Sequence, residues 1–97
     1  MHLDIRKTAE VALRSLPNTE QRQMLRVLDS LSSSSQAEFS RDPKAHKLVT
    51  RSGERLYSYR GSQKLRIVLS IHGDSLVVED IVDHDRLERM LSHRGRA

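Results

Sequence analysis

Two arginines, Arg60 and Arg66, lie six residues apart in a stretch where polar and apolar residues alternate. A guanidinium presents several N–H donors in one plane, so it can bind a phosphate or a carboxylate through two parallel hydrogen bonds. Two such groups on adjacent strands repel each other, and their shared placement therefore favours an anion between them. The alternative is a solvated sheet face, where exposed arginines are common.

A second polar group, Asp83-His84-Asp85-Arg86, directly follows the last apolar strand of the sequence. Segments at strand ends often hold functional side chains over a sheet. His84 can exchange a proton near neutral pH, and Arg86 adds another cation. A structural interpretation is also open, because Asp83 or Asp85 can cap the following helix while His84 only forms a nearby hydrogen bond.

The Asp-His-Asp run also raises the possibility of a metal site. A metal needs further convergent ligands, but the chain has no cysteine and no recognisable ligand spacing. The other histidines are scattered and are interpreted as surface or hairpin residues: His2, His46, His72 and His93. A phosphate-binding glycine loop, a nucleophile elbow and a zinc pattern are also missing. We therefore expect neither a metal nor a cofactor.

Size and composition limit the architecture. The 97 residues suffice for one compact domain, residues 1–97, and 17 Lys and Arg against 13 Asp and Glu favour a polyanionic or acidic partner. A net charge of +4 is also compatible with an ordinary basic surface. The sequence has no apolar run suited to a membrane span or a signal peptide. We expect a cytoplasmic protein that does not associate with a membrane.

The first half of the chain predicts a strand and a helical hairpin. Residues 2–6 alternate between polar and apolar and predict a first strand. Two amphipathic helices follow, with Thr8 as the first cap, Pro17 as the stop and Thr19 as the second cap. Their apolar stripes are Ala9, Ala12, Leu13 and Leu16, and Met24, Leu25, Val27, Leu28 and Leu31.

The second half predicts an antiparallel meander. Four serines, Ser32 to Ser35, are interpreted as a flexible connector, and residues 36–44 as a loop or one short helical turn. The period then changes to two, with turns at Gly53, Gly61 and Gly73. The pattern predicts an extended lead-in over 47–50, strands over 56–60, 65–72 and 76–83, and a helix over 84–92. The predicted fold class is α+β: an N-terminal strand and helical hairpin packed on a twisted antiparallel sheet, with a short C-terminal helix.

The alternation also predicts which side chains face the helices. In strand 65–72, the apolar side is Leu65, Ile67, Leu69 and Ile71, and the other side is Arg66, Val68, Ser70 and His72. Tyr57 and Tyr59 join the covered side, which turns Arg60 towards the same uncovered surface as Arg66. We expect the two arginines side by side on that face, within reach of the segment around His84.

In this order of elements and in three short segments, the chain resembles the RelE/ParE toxin superfamily of bacterial and archaeal toxin-antitoxin systems. The segments are Leu56-Tyr57-Ser58-Tyr59-Arg60, Lys64-Leu65-Arg66-Ile67-Val68 and Val77-Val78-Glu79-Asp80-Ile81-Val82-Asp83-His84-Asp85. The resemblance implies a ribosome-dependent mRNA endoribonuclease (an mRNA interferase) or, in the ParE branch, a DNA gyrase inhibitor. It also implies a cognate antitoxin protein as partner.

The interferase branch places basic strand residues and a carboxyl-terminal His, Arg or Tyr around the scissile phosphate. By position, the resemblance assigns catalytic roles to Arg60, Arg66, His84 and Arg86, and RNA binding is expected of Arg55, Lys64 and Lys47. Two positions depart from the family pattern, because Ser58 stands where lysine is frequent and Glu88 where tyrosine is common. These departures favour the alternative of a non-enzymatic gyrase poison or other protein binder. A third possibility is a nucleic-acid-binding module without toxicity.

RNA can be cut without a metal when its 2′-hydroxyl loses a proton, attacks the adjacent phosphate and expels the 5′-oxygen, which leaves a cyclic phosphate. Such a reaction needs a base, an acid and positive charge near the phosphate. The hypothesis is that Arg60 and Arg66 stabilise the phosphate charge. His84 would transfer a proton, and Arg86 would orient the RNA backbone.

Overall fold

The computed structural model describes the backbone of residues 1–48 and 55–95, and the side chains of 1–48 and 55–89. The expected turn at Gly53 and part of the lead-in over 47–50 lie outside these ranges. The elements are β1 (His2–Ile5), α1 (Lys7–Arg14), α2 (Asn18–Ser32), α3 (Gln36–Arg41), β2 (Ala45–Leu48), β3 (Leu56–Arg60), β4 (Leu65–His72), β5 (Ser75–Asp83) and α4 (His84–Gly95).

The strands form one five-stranded sheet in the order β1-β5-β4-β3-β2. Strands β2 to β5 form the expected antiparallel meander. The expected α+β fold, with a helical hairpin and a C-terminal helix packed on the sheet, is confirmed. One detail differs: β1 is itself an edge strand of the sheet and runs parallel to β5, with His2 opposite Ser75. Alternation identifies a strand but not its partner, so this non-local pairing could not be predicted.

The core lies between the helices and one face of the sheet. The predicted covered side of β4 is confirmed, since Ile67 and Leu69 are fully buried. Helices contribute Ala9, Leu13, Met24, Leu28, Leu31 and Phe39, and strands contribute Tyr59, Leu65, Ile67, Leu69, Leu76, Val78 and Ile81. The helical hairpin therefore fixes which sheet face remains for other contacts.

The helix starts differ from the predicted caps. Arg6 is the N-cap residue of α1, and Thr8 lies inside that helix, so the predicted Thr8 cap is wrong. Pro17 is the N-cap residue of α2, and the predicted Thr19 cap is wrong for the same reason. Neither N-cap makes a side-chain hydrogen bond. A proline suits this position because its φ of −55° and ψ of 152° are an extended conformation that proline readily adopts.

The serine run forms an ordered junction between α2 and α3, so its interpretation as a flexible connector is wrong. The hydroxyls of Ser33 and Ser34 donate to carbonyl oxygens in the last turn of α2. The Ser35 hydroxyl accepts from the Glu38 N–H at 3.1 Å, and the Glu38 carboxylate accepts from the Ser35 N–H at 3.0 Å. This capping box starts α3 and buries Phe39 in the core.

Phe39 fixes β3 from the helical side. Its ring stacks on Tyr59 at a centroid distance of 6.1 Å and meets Tyr57 edge-on at 5.5 Å. The Tyr59 hydroxyl donates to the Asp42 carboxylate at 2.7 Å. Burial, together with this bond, raises the pKa of Tyr59 to about 12. Both tyrosines thus lie on the covered side, which turns their neighbours in β3 to the opposite face.

Candidate nucleic-acid interface

The open face is the sheet face opposite α1 and α2. Arg60 and Arg66 are direct cross-strand partners in β3 and β4. The preceding pair, Tyr59 and Ile67, is buried under the helices. Successive residues in a strand alternate between faces, so both arginines project from the open face, as the alternation predicts. On β5, Val82 pairs with Arg66, so Arg60, Arg66 and Val82 form a row across three strands, which we call the arginine row.

Arg66 is anchored to the β3–β4 turn, residues 61–64. Its Nη1 atom donates to the carbonyl oxygens of Ser62 at 2.7 Å, Gln63 at 3.3 Å and Leu65 at 3.1 Å. Its Nη2 and Nε atoms have no partner among the described residues. Arg60 is exposed, and its side chain forms no hydrogen bond within the described part of the chain. The row therefore combines one oriented guanidinium with one that is free to move.

The end of β5 brings His84 to the same end of the sheet. The His84 N–H donates to the Lys64 carbonyl oxygen at 2.7 Å, and Leu65 pairs with Asp83. The Asp83 carboxylate accepts from the Asp85 N–H at 2.9 Å, so Asp83 caps α4. His84 is half-buried at the start of α4. The structure places its backbone beside the Arg66 row but shows no hydrogen bond between the two side chains.

The other predicted site residues, the catalytic candidate Arg86 and the RNA-binding candidates Arg55, Lys64 and Lys47, do not all share this face. Arg55 is exposed immediately before β3, Lys64 is exposed in the β3–β4 turn, and Arg86 is exposed in the first turn of α4. Lys47 pairs with Tyr57 and therefore lies on the opposite side of the sheet from Arg60. Its neighbour in β2 occupies the open face instead.

His46, the neighbour of Lys47 in β2, lies on the open face, where it pairs with Ser58. Ser58 itself is only 6% exposed. The sequence missed His46 because β2 begins at Ala45, before the expected lead-in, and the face of each residue depends on how the edge strand pairs.

The open face is partly covered, contrary to the expectation of a bare surface. Helix α4 packs over it, and Leu87 of α4 and Val82 of β5 are both buried. Beside α4 lies a cleft of about 580 Å³. Its apolar lining is Leu56, Val68, Ile71, Val82 and Leu87, and its polar lining is Arg6, Arg55, Ser70, His72, Glu79 and Asp80. Among the predicted site residues with described side chains, Arg55 contributes to this lining.

A β-bulge produces the polar end of the cleft. Val68 pairs with Asp80 and Leu69 with Val78, so Glu79 is the extra residue, and both carboxylates line the cleft. The Glu79 carboxylate contacts the Arg6 Nε at 2.7 Å and accepts from the Ser70 hydroxyl at 2.6 Å. Sequence reasoning missed this cluster, because it depends on the bulge and on the parallel pairing of β1.

His72 completes the cluster, with its Nε2 atom 3.1 Å from the Ser70 hydroxyl oxygen. Nucleophilic catalysis by serine requires a base to accept the hydroxyl proton and a third group to orient that base. Here the hydroxyl of Ser70 already donates to Glu79, and His72 lies on the other side of the same oxygen. The cluster is a satisfied hydrogen-bond network rather than a catalytic triad.

Within residues 1–48 and 55–89, no three His, Asp or Glu side chains come together in a way that could hold a metal ion. No helix in this part of the chain is long and apolar enough to cross a membrane.

Several solved structures share this architecture. The RelE–RelB complex from Pyrococcus horikoshii OT3 matches with a TM-score of 0.65 and 22% identity, over 99% of this chain and 97% of that one. The RelB–RelE antitoxin–toxin complex from Methanococcus jannaschii matches with a TM-score of 0.62 and 14% identity, over 90% of this chain and 96% of that one. The RelBE2 toxin–antitoxin complex from Mycobacterium tuberculosis matches with a TM-score of 0.54 and 18% identity, over 86% of this chain and 96% of that one.

No protein-family model matches the sequence, and no curated protein matches it. At identities of 14 to 22%, the structural matches establish the architecture of the chain. The chain has the fold of the RelE toxins, as its order of elements and its three short segments indicated.

Proposed function

We propose that this chain is the toxin of a toxin-antitoxin system and that it cleaves mRNA on the ribosome without a metal ion. The observation that carries the proposal is the pairing of Arg60 with Arg66 on the open face, at the end of the sheet where His84 begins α4. The similar structures are complexes of RelE-type toxins with their antitoxins, and this similarity supports the toxin role and an antitoxin partner.

In the proposed site, Arg60 and Arg66 hold the scissile phosphate. Directly opposed side chains in an antiparallel pair have Cβ atoms about 5 Å apart, so two cations there repel unless an anion lies between them. Three carbonyl oxygens offset part of the Arg66 charge and fix its orientation. Its remaining nitrogens and the exposed guanidinium of Arg60 are then available to charge that develops on the phosphate.

His84 supplies proton transfer in this proposal. The 2′-hydroxyl must lose a proton and the departing 5′-oxygen must gain one. The carboxylate of Asp83 already accepts the Asp85 N–H as a helix cap, which favours His84 as the group that transfers the proton. Arg86, in the first turn of α4, orients the RNA backbone. Arg55 and Lys64 extend the positive charge around the site, whereas Lys47 is left out because it lies on the other face.

The proposal also covers partners and location. The ribosome and mRNA place the activity in the cytoplasm. An acidic or amphipathic antitoxin segment would neutralise the toxin by lying over the basic part of the open face or against the helical hairpin.

Induced expression with genome-wide mapping of mRNA 5′ ends tests the activity. The proposal expects new 5′ ends in phase with codons of translated messages, and expects them to disappear in the Arg60→Ala variant. Arrest of growth without codon-phased ends would contradict it.

A second candidate is inhibition of DNA gyrase. It is favoured by Ser58, which stands where related toxins often have lysine and which is buried with only 6% exposure. Glu88 on α4, at a position where related toxins commonly have tyrosine, also favours this candidate. A supercoiling assay with purified gyrase separates the two, since a gyrase poison would block supercoiling and leave ribosome-bound mRNA intact. Normal growth with retained RNA binding would instead identify a non-toxic binding module.

A further inference from the structure

We propose that the cleft beside α4 binds one unstacked RNA base, and that Asp80 makes it prefer a base with an exocyclic amino group over uracil. This inference rests on the proposed function, because the base belongs to the mRNA whose phosphate lies at Arg60 and Arg66. It adds a specificity-determining residue to that site.

The position of the cleft connects it to the arginine row. Val82, which lines the cleft, is the β5 partner of Arg66. Val68, also in the lining, is the next residue of β4 on the same face, about 7 Å along the strand. An RNA strand held at the row therefore has the cleft directly beside it.

The lining suits a base better than a phosphate. Leu56 and Val68, both half-buried, form an apolar surface over the buried Val82 and Leu87, and a flat ring can pack against it as unstacked bases do in protein pockets. A volume of about 580 Å³ is in the range of small-molecule sites. The carboxylates of Glu79 and Asp80 in the lining balance the guanidinium groups of Arg6 and Arg55, and Arg6 is already paired with Glu79, so the cleft has no excess positive charge to hold a phosphate.

The two carboxylates differ in what they can still accept. Both oxygens of Glu79 are engaged, one by Arg6 and the other by Ser70. Asp80 is half-buried, and its Oδ1 atom accepts from its neighbouring Ile81 N–H at 2.8 Å. Its Oδ2 atom has no partner, and its carboxylate no ion pair, among the described residues. Asp80 is thus the acceptor that remains for a ligand.

The Asp80 carboxylate, as a hydrogen-bond acceptor, favours a ligand that donates a hydrogen bond. Adenine and cytosine present amino groups, whereas uracil presents a carbonyl oxygen at the corresponding position. A carboxylate attracts the amino groups and repels the uracil oxygen. A single hydrogen bond of this kind lies at the lower end of the known range of base discrimination, about fivefold to tenfold.

Binding of 2′-O-methylated RNA trinucleotides tests this inference without cleavage, because the attacking hydroxyl is blocked. The probes are AAA, CCC and UUU, and the readout is the NMR shift of the backbone amides of Val68, Ser70 and Val82. The wild type should bind AAA and CCC about fivefold to tenfold more tightly than UUU. The isosteric Asp80→Asn variant should reduce this preference to less than twofold.

Asp74→Asn is the matched control, since it removes the same charge from an exposed residue in the β4–β5 turn. It should keep the wild-type preference. The inference is overturned if the trinucleotides leave these amides unshifted, if Asp80→Asn keeps the preference, or if Asp74→Asn loses it equally. An arginine-rich peptide that shifts the same amides when no trinucleotide does would also overturn it, in favour of a protein partner.

Cleavage of ribosome-bound messages separates this inference from the proposed function. The substrates are messages that vary at each A-site position. If the wild type and Asp80→Asn cut them with the same base preference, the inference about the cleft is wrong, whereas the proposed nuclease activity is supported. If trinucleotides bind as expected but no message is cut, the nuclease fails while the pocket stands.

Discussion

Replacing Arg66 by methionine should destabilise the fold, independently of any loss of activity. Methionine keeps an unbranched apolar stem but removes the guanidinium whose Nη1 atom contacts three carbonyl oxygens of Ser62, Gln63 and Leu65. A nitrogen with two hydrogens can make two well-aligned bonds, and the contact at 3.3 Å to Gln63 is the weakest. The structural role of Arg66 therefore reduces to about two charge-assisted hydrogen bonds.

Such bonds contribute about 1.5–3 kcal/mol each when they are well buried. Arg66 is only half-buried, and water can reach the freed carbonyl groups of the turn, so the lower end of the range applies to the pair as a whole. We expect Arg66→Met to lower the free energy of unfolding by about 1–2 kcal/mol. This is a substantial fraction of the roughly 5–15 kcal/mol that is typical of a domain.

Urea denaturation at neutral pH measures this change, with an unchanged m-value as evidence that both variants unfold in the same way. Arg60→Met is the matched control, since it removes the same charge from the adjacent strand without a hydrogen bond to described residues. Its effect should be within about 0.5 kcal/mol of zero, and relief of charge repulsion favours the stabilising direction. Equal losses in the two variants would refute the anchoring role of Arg66.

Three further predictions concern the elements around the site. Tyr59 has its folded pKa raised to about 12 from 10.0, so its stabilising effect is complete below pH 10 and is lost between pH 10 and 12. Between pH 10 and 12, the free energy of unfolding of the wild type should fall by about 2 kcal/mol more than that of Tyr59→Phe, and parallel curves would contradict this. Glu79→Ala should cost about 2 kcal/mol in thermal unfolding because it leaves the buried Ser70 hydroxyl without its acceptor, whereas Glu79→Gln should cost less. Ser35→Ala should cost about 1 kcal/mol in urea by removing the capping box of α3, and a loss no larger than that of Ser40→Ala would argue against it.

The faces of β3 and β4 could be predicted because their determinants are local. Alternation with a period of two separates Ile67 and Leu69 from Arg66, and a tight turn makes Arg60 the partner of Arg66. The same reasoning failed for Lys47, because β2 is a short edge strand and the pairing of such a strand is weakly specified by its own residues.

The cleft could not be predicted because non-local contacts form it. The sequence indicates that α4 is amphipathic, but not that Leu87 packs against Val82 on the open face. Nor does it indicate that Glu79 is the extra residue of a bulge. Arg6 reaches Glu79 only because β1 joins β5 as a parallel strand.

The catalytic role of Arg60 is tested by measuring cleavage of mRNA in the A site of purified ribosomes with the Arg60→Ala variant. Arg60 suits this test better than Arg66, because it is exposed and makes no structural hydrogen bond to described residues, so its loss leaves the fold intact. The control is Arg26→Ala, which removes the same charge from an exposed position on α2. We expect a loss in cleavage rate on the order of 10²-fold for Arg60→Ala and a wild-type rate for Arg26→Ala. Cleavage by Arg60→Ala at the wild-type rate would contradict the catalytic role.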